Sequence, residues 1–471
     1  MADSTPKLSV CDFYRNAVVL ITGGSGFMGK VLVEKLLRSF EVKKIYLLLR
    51  ERRNVKPSER LKQIINDPIF NTIRRTVIHP DALFAKLESI DVDFTSEEIV
   101  REPQKTELLT DTQIVFHVIG DVNLTNNLQN SLENNVTTAE KLYSFIRNAR
   151  NLRSIVHVST FYSNCDRSHI EEQIYDDIPF GGLHNIRRIL DALTESERDA
   201  LTPTILGQLP NAYVFSKKCA EVMVQQQFAD LPMGIFRPPV VNSSYQEPAP
   251  GWVDGIQATT GLSVAILQQR LVWYQGNPAS LSTIAPADYC IAAMITAACD
   301  IRARHDERKK LESFNRTVPC LPVYNFAFEN PLNWKQFIAY VGSGLPTAIE
   351  RALSTIRVRL TRRPILSRIT FWLLYLQAYL ADFLRCLIRK PKRHVKAISS
   401  LQRLHTACTH FLSNSWTARN DNVKRMRSLL LKEEEKLLEF DVDLLDWEDY
   451  FRNYVSGFYA YIERKQKRGR D

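Results

Sequence analysis

The sequence has no Cys-x-x-Cys pair and no histidine cluster at metal-ligand spacing. Its eight cysteines (Cys11, Cys165, Cys219, Cys290, Cys299, Cys320, Cys386 and Cys408) are scattered. That argues against a zinc site and a disulfide framework, and it fits a reducing compartment. The opening stretch, Met1 to Arg15, is too polar for a signal peptide. No repeat or low-complexity tract interrupts the chain. The very apolar stretch Ile365 to Ile388 is broken by charge: only the thirteen residues Ile369 to Ala381 separate Arg368 from Asp382, whereas a spanning helix needs about 20. Acidic balance is lacking too. The net charge of +10 suggests an anionic partner: a phosphate-rich cofactor, a membrane surface or nucleic acid. The basic clusters flank the apolar segment instead of interleaving with aromatics, which argues against nucleic acid.

What is present begins with Val18-Val19-Leu20-Ile21-Thr22-Gly23-Gly24-Ser25-Gly26-Phe27-Met28-Gly29. Four apolar β-formers read as a strand buried on both faces. Three glycines at spacing three make a tight turn. Val31, Leu32 and Leu36, with the charges of Lys30, Glu34 and Lys35, then mark an amphipathic helix. Such a turn lets a backbone approach a pyrophosphate, and the helix start offers free N–H groups and a favourable dipole. The expected cofactor contacts here are Thr22, Gly23, Ser25, Gly26, Phe27, Met28 and Gly29.

A second strand, Lys44 to Leu49, ends in Arg50, with Arg52 and Arg53 beyond. An acid at that strand end accepts the 2′-hydroxyl of NAD, and an arginine suits the 2′-phosphate of NADP, so NADPH is favoured. Ser89 to Phe94 reads as a third strand, with Asp91 and Val92 near the adenine edge. Gln113 to Val118 is a fourth, entering Ile119 and Gly120, also assigned to the cofactor. His117, inside an apolar run, reads as a core histidine. Asn126 to Arg147 has helical spacing, and its Asn135 reads as a backbone-bonding residue. Ser154 to Val158 is a fifth strand. This alternation predicts a doubly wound parallel sheet of Rossmann type. The 471 residues, 45% of them hydrophobic, suffice for two or three domains.

The fifth strand ends in Ser159-Thr160-Phe161-Tyr162-Ser163-Asn164, so its hydroxyls point into the cleft beyond the strand ends. Later comes Tyr213-Val214-Phe215-Ser216-Lys217, whose tyrosine and lysine share one helix face. A phenol is a poor acid–base group at neutral pH until a neighbouring ammonium lowers its pKa. Together these parts resemble an extended short-chain dehydrogenase/reductase.

More narrowly, the chain resembles the alcohol-forming fatty acyl-CoA reductase family. The likeness rests on Val10-Cys11-Asp12-Phe13-Tyr14, Val158 to Cys165, and Phe236-Arg237-Pro238-Pro239-Val240-Val241-Asn242, closed by Pro250-Gly251-Trp252-Val253-Asp254. It continues in Val323-Tyr324-Asn325-Phe326 and in Asn414-Ser415-Trp416, Phe440-Asp441-Val442 and Asp446-Trp447. The resemblance implies Tyr213 as proton donor, Lys217 on the nicotinamide ribose, and Thr160 as the strand-end hydroxyl, with Ser159 as second choice. It also implies NADPH-dependent reduction of long-chain fatty acyl-CoA to alcohol through an aldehyde. Two stretches depart from the family pattern: Ile119 to Asn126, and Pro239 where a serine is usual. Both lie near the expected substrate cleft. Cys165, the only cysteine near a strand end, reads as a bystander.

Alternatives share the same catalytic residues: a reductase or epimerase acting on a sterol or sugar nucleotide, or a weakly catalytic NADPH-binding member. Residues 1–345 are expected to form the reductase domain, with a substrate-binding part over 224–345 that includes a helix from Ile284 to Cys299. Residues 346–396 form a basic and apolar membrane-associating segment, introduced by Arg351, Arg357, Arg359, Arg362 and Arg363 and followed by Arg389, Lys390, Lys392, Arg393 and Lys396. Residues 397–471 are expected to be a mainly α-helical C-terminal domain. Arg368, Tyr375, Asp382 and Arg389 recur every seven residues as one slowly drifting polar stripe. That predicts a helix lying in the plane of an anionic leaflet, on the cytosolic face of an organelle. The peroxisome is expected first, with endoplasmic reticulum or lipid droplet as alternatives. A homodimer is possible.

Overall fold

The computed structural model describes residues 7, 9–255, 263, 272–313, 320–345, 358–389 and 391–468. Arg351, Arg357 and Lys390 of the basic flanks lie outside these residues. Seven parallel strands form the central sheet: β1 (Val18–Thr22), β2 (Lys44–Leu49), β3 (Leu87–Asp91), β4 (Ile114–His117), β5 (Ser154–Val158), β6 (Met233–Arg237) and β7 (Val323–Asn325). Their order is β7-β6-β5-β4-β1-β2-β3. Alternate residues feed two cores. Val19, Ile21 and Phe116 pack on one face, and Val18, Leu20 and Val115 on the other. This is the doubly wound architecture expected from the continuous apolar runs. The chain reverses direction across the sheet between β1 and β4, which opens a crevice at their carboxyl ends.

Helix α1 (Phe27–Ser39) follows the glycine turn. The charges that read as its solvent face are buried, because other parts of the chain cover them. Lys30 bridges Asp67 at 2.8 Å and Asp254 at 2.6 Å, Lys35 pairs with Glu247, and Glu34 with Arg38 at 2.8 Å. The third strand lies two residues earlier than its β-propensity suggests, and Phe94 falls outside it. The helix read over 126–147 contains one wider turn, Glu133–Thr137, between Leu128–Leu132 and Thr138–Ile146. The helix read from Ile284 begins later: Ile284–Pro286 is a short strand, and the helix runs over Ala287–Ser313.

Helix α2 (Ala212–Phe228) runs beside the crevice, and the helix over Ala287–Ser313, here α3, packs beneath β5 and β6. Beyond it, α4 (Pro364–Leu387) and α5 (His394–Ser413) form a hairpin, so the expected boundary at 396 falls inside α5. Asp382 of α4 is buried and accepts N–H bonds of 3.0 Å from Arg393, His394 and Val395. It caps the next helix, as an acid at a helix start should.

The C-terminal residues are stitched to the reductase part. Glu434 accepts the backbone N–H groups of Val10 and Cys11 at 3.0 and 2.8 Å, and the Trp416 indole donates to the Cys165 carbonyl at 3.0 Å. Helix α6 (Trp447–Arg468) crosses the loop at Gly251, which has φ +69°; a Cβ there would lie 1.9 Å from the Asn453 carbonyl oxygen. Gly251→Ala should therefore destabilise the protein by at least about 1–3 kcal/mol, read as a lower urea midpoint. An unchanged midpoint would show that α6 does not need this crossing.

Candidate active site

The glycine turn is shaped by close approach. Gly23 has φ +73°, and a Cβ on it would meet the Ile119 backbone nitrogen at 2.7 Å. A Cβ on Gly29 would lie 2.1 Å from the Gly23 carbonyl. The chain can therefore turn, touch the end of β4 and enter α1 only without side chains at these points. Thr22 is buried beneath the turn. Its hydroxyl oxygen accepts the Ile119 N–H at 3.3 Å and lies 3.1 Å from His117 Nδ1. Burial, with Lys217 nearby, pushes His117 down to about 3. It is a neutral core histidine, as expected. Ser25, Phe27 and Met28 are half-buried at the open side and Gly26 is exposed, leaving the start of α1 accessible to a phosphate.

Arg50 is exposed just past β2. A residue missed from sequence comes closer to the turn. Arg60, on the helix Pro57–Ile65, donates to the Ser25 hydroxyl at 3.0 Å and to the Arg50 carbonyl at 2.6 Å. Burial and the neighbouring Arg52 and Arg50 lower its pKa, so three guanidiniums repel one another at a point where an anion would relieve them. Asp91 sits exposed at the end of β3, opposite Leu49, with Val92 buried beside it.

The other half of the crevice lies at the end of β5. Asn211 caps α2 by accepting the Val214 N–H at 3.0 Å. In the first turn, Tyr213 is half-buried and shares a hydrogen bond with the Thr160 hydroxyl. Burial pushes its phenol up to about 12, against the lowering effect of that bond, so it holds its proton at neutral pH. The expected lowering by the ammonium is not found. Lys217 is buried, donates to the Val158 carbonyl at 3.0 Å, and lies against Gly120, where a Cβ would come 2.9 Å from its Nζ. Burial lowers it to about 8, with Glu221 opposing. Asn135, in the wide turn, accepts the Asp121 N–H at 2.7 Å and donates to Ser216 at 2.9 Å. It fixes the strand-end loop through the backbone, as expected, and brings Ile119-Gly120 to α2.

Ser159 is not in the cleft. Strand residues alternate sides, so Thr160 faces Tyr213 while Ser159 turns inward and donates to Glu221. The same carboxylate receives Ser163 at 2.9 Å and Arg237 at 2.9 and 2.6 Å. Glu221 and Arg237 were not singled out as site residues. The signal was there: Tyr213, Lys217 and Glu221 follow at intervals of four. Cys165 is buried, and burial together with Asp166 pushes its thiol up to about 12, which makes it a poor nucleophile.

The crevice thus pairs a phosphate cradle with a protonated phenol and a buried ammonium. Residues 21–294 match a family model of NAD-binding type described as male sterility protein, and residues 373–465 match a second model of that description. The chain belongs to the fatty acyl-CoA reductase family. It is 32% identical to fatty acyl-CoA reductase 1 of Xenopus laevis and 30% identical to that of Homo sapiens, over 98% of this chain and 88% of each relative. It is also 30% identical to fatty acyl-CoA reductase wat of Drosophila melanogaster, over 96% and 85%. Among solved structures, the reductase domain of a Mycobacterium tuberculosis nonribosomal peptide synthetase shares the fold at TM-score 0.61, with 16% identity over 97% and 93%. UDP-glucuronic acid 4-epimerase from Bacillus cereus in complex with NAD shares it at TM-score 0.51, with 14% identity over 94% and 99%.

The lowered Lys217 makes a pH prediction. Its cation is present below about 8 and lost above it, so kcat/KM for an acyl-CoA substrate should fall above pH 8, well before an ordinary lysine titrates. In Lys217→Arg, the alkaline limb of the remaining activity should move beyond about pH 10. A limb that stays in place would assign it to another group.

Proposed function

We propose that this protein uses NADPH to reduce long-chain fatty acyl-CoA to fatty alcohol and CoA, both reductions taking place in one site. The observation that carries the reading is the Tyr213–Thr160 pair at the end of β5, one helical turn from the buried Lys217, in a chain of this family. Gly23, Gly29 and the open start of α1 fit a pyrophosphate, and the Arg50, Arg52 and Arg60 group supports a phosphorylated ribose over a plain one. Gly120 and Lys217 would hold the nicotinamide ribose.

Bound there, NADPH would supply hydride to the acyl carbonyl carbon. The chain's own groups act on oxygen. Tyr213 and Thr160 donate hydrogen bonds as negative charge grows on the carbonyl oxygen. The hemithioacetal then collapses, its C–S bond breaks, and CoA leaves as the thiol. In the second reduction Tyr213 gives its proton to the aldehyde oxygen as general acid, and the hydrogen bond with Thr160 favours the resulting phenolate. Two NADPH and two protons are consumed for each alcohol and each CoA.

Tyr213→Phe should lose about 10²- to 10⁴-fold in rate while still binding NADPH, followed by turnover and by cofactor fluorescence. The wild type should oxidise two NADPH per CoA released and leave little aldehyde for a trap. One NADPH per CoA, with trapped aldehyde, would make it an aldehyde-forming enzyme instead.

A separate substitution tests the cofactor. Arg60→Ala should raise KM for NADPH by about ten- to a hundredfold, the value of a charge-assisted contact, and leave KM for NADH nearly unchanged. An equal rise for both cofactors would mean that Arg60 only supports the glycine turn through Ser25.

A further inference from the structure

Eleven of the sixteen large apolar side chains that the described residues expose lie between Ile365 and Ile388. Ile365, Ile369, Trp372, Leu376, Leu380 and Phe383 follow at steps of three and four, which is one face of α4. Trp372 is 64% exposed and Leu387 66%. Single exposed apolar residues are ordinary, but a continuous face of this kind marks an interaction surface. The helix is not loose: Ser367, Phe371, Leu374 and Ala378, on its other side, are buried against α5 and the strand Val272–Gln275.

Charge selects the occupant. Residues 362–413 hold ten lysines and arginines and one acid, Asp382, and that acid is turned inward onto the start of α5. Exposed cations stand at both ends of the bare face, Arg362 and Arg363 before it and Arg389, Lys392 and Arg393 after it. A second copy laid on this face in either direction would oppose cations to cations, whereas an anionic leaflet would neutralise them. No described helix is long and apolar enough to cross a membrane, and basic groups at both ends suit an element lying flat. A cavity of about 560 Å³ lies between α4 and α5. Its lining is mostly polar, with Arg368, Gln402 and Thr406 beside Pro364 and Phe371, and it reaches Pro210, the residue before the cap of the catalytic helix α2.

We propose that α4 lies in the plane of an anionic bilayer leaflet. Its bare face enters the acyl region, its basic ends meet lipid phosphates, and the cavity between α4 and α5 is held at the membrane surface. That acyl chains reach the site from this leaflet rests on the substrate proposed above.

The test uses the purified full chain with vesicles of phosphatidylcholine alone or with about 30% phosphatidylserine. Flotation should show binding at least about tenfold tighter to the mixed vesicles, and Leu376→Glu/Leu380→Glu should lose about a hundredfold in affinity. Arg389→Glu/Lys392→Glu should remove the preference for phosphatidylserine. Trp372 emission should shift to the blue and be quenched more by lipids brominated near the headgroup than at the chain ends. Urea unfolding should be unchanged in both variants. So should turnover of a water-soluble short-chain acyl-CoA, while turnover of long-chain acyl-CoA presented in vesicles should fall about tenfold. If no acyl-CoA is turned over but vesicles are bound as described, the substrate reading fails and the membrane surface stands. If wild type and Leu376→Glu/Leu380→Glu bind vesicles equally, or if that variant instead dissociates a dimer, the membrane surface is overturned.

Discussion

A fully buried ion pair, Arg237 with Glu221, holds the reactive end of the sheet together. Taking both charges out of water is expensive unless every donor and acceptor is met, and here they are met from several elements. Glu221 receives Ser159, Ser163 and Arg237, while Arg237 also reaches Asn325 at 3.2 Å and the carbonyls of Glu171 and Gln173 at 3.2 and 2.8 Å. The pair therefore joins the ends of β5, β6 and β7 to α2. Because Glu221, Lys217 and Tyr213 follow at four-residue steps, anchoring the first sets the rotation of α2 and hence the direction of the other two. The same anchor draws Ser159 inward, and the alternation of an extended chain then sends Thr160 to the tyrosine. The Arg237-Pro238 stretch thus serves the chemistry without touching the reacting atoms.

Charge is buried elsewhere for a related purpose. Lys30 and Lys35 of α1 meet Asp67, Asp254 and Glu247, and Glu434 takes up the two N–H groups that begin the short helix Val10–Tyr14. All of these contacts except Lys30–Asp67 join stretches more than two hundred residues apart in the chain. Lys35 also donates to the Leu437 carbonyl at 2.7 Å, so the C-terminal residues back the helix that starts at the glycine turn. Cations neutralised inside in this way add nothing to the external field, and the excess is concentrated over residues 362–413.

Much of this was legible in the sequence because its signals are local. β2 and β5 fall on their expected residues, since buried parallel strands are written as short apolar runs bounded by turn residues. The glycine turn also falls between strand and helix as expected, and Tyr213 and Lys217 share one helix as their spacing predicts. Signals that depend on a distant partner did not. Lys30, Glu34 and Lys35 have the pattern of a solvated face, and nothing in α1 announces the carboxylates from Asp67, Asp254 and Glu247. Arg60 looks like any basic residue on a short amphipathic helix until the fold brings it to Ser25. Ser159 and Thr160 are adjacent hydroxyls, and only the register of β5 separates their roles.

The apolar segment shows how a periodicity can be read correctly and still mislead about what faces water. Seven residues at 100° each fall 20° short of two full turns, so positions seven apart drift steadily around a straight helix. Arg368 is exposed, Tyr375 half-buried and Asp382 buried: the drift carries the stripe from the rim of α4 into its packed side within two steps. There Asp382 binds three backbone N–H groups at the start of α5, and the stripe's polarity is used within the hairpin. The face it would have relieved, from Ile365 to Leu387, keeps one exposed cation at its edge, Arg368, and no exposed acid. An acid placed on that face would have made it more polar; an acid turned to cap α5 ties the two helices together and leaves the exposed side predominantly apolar.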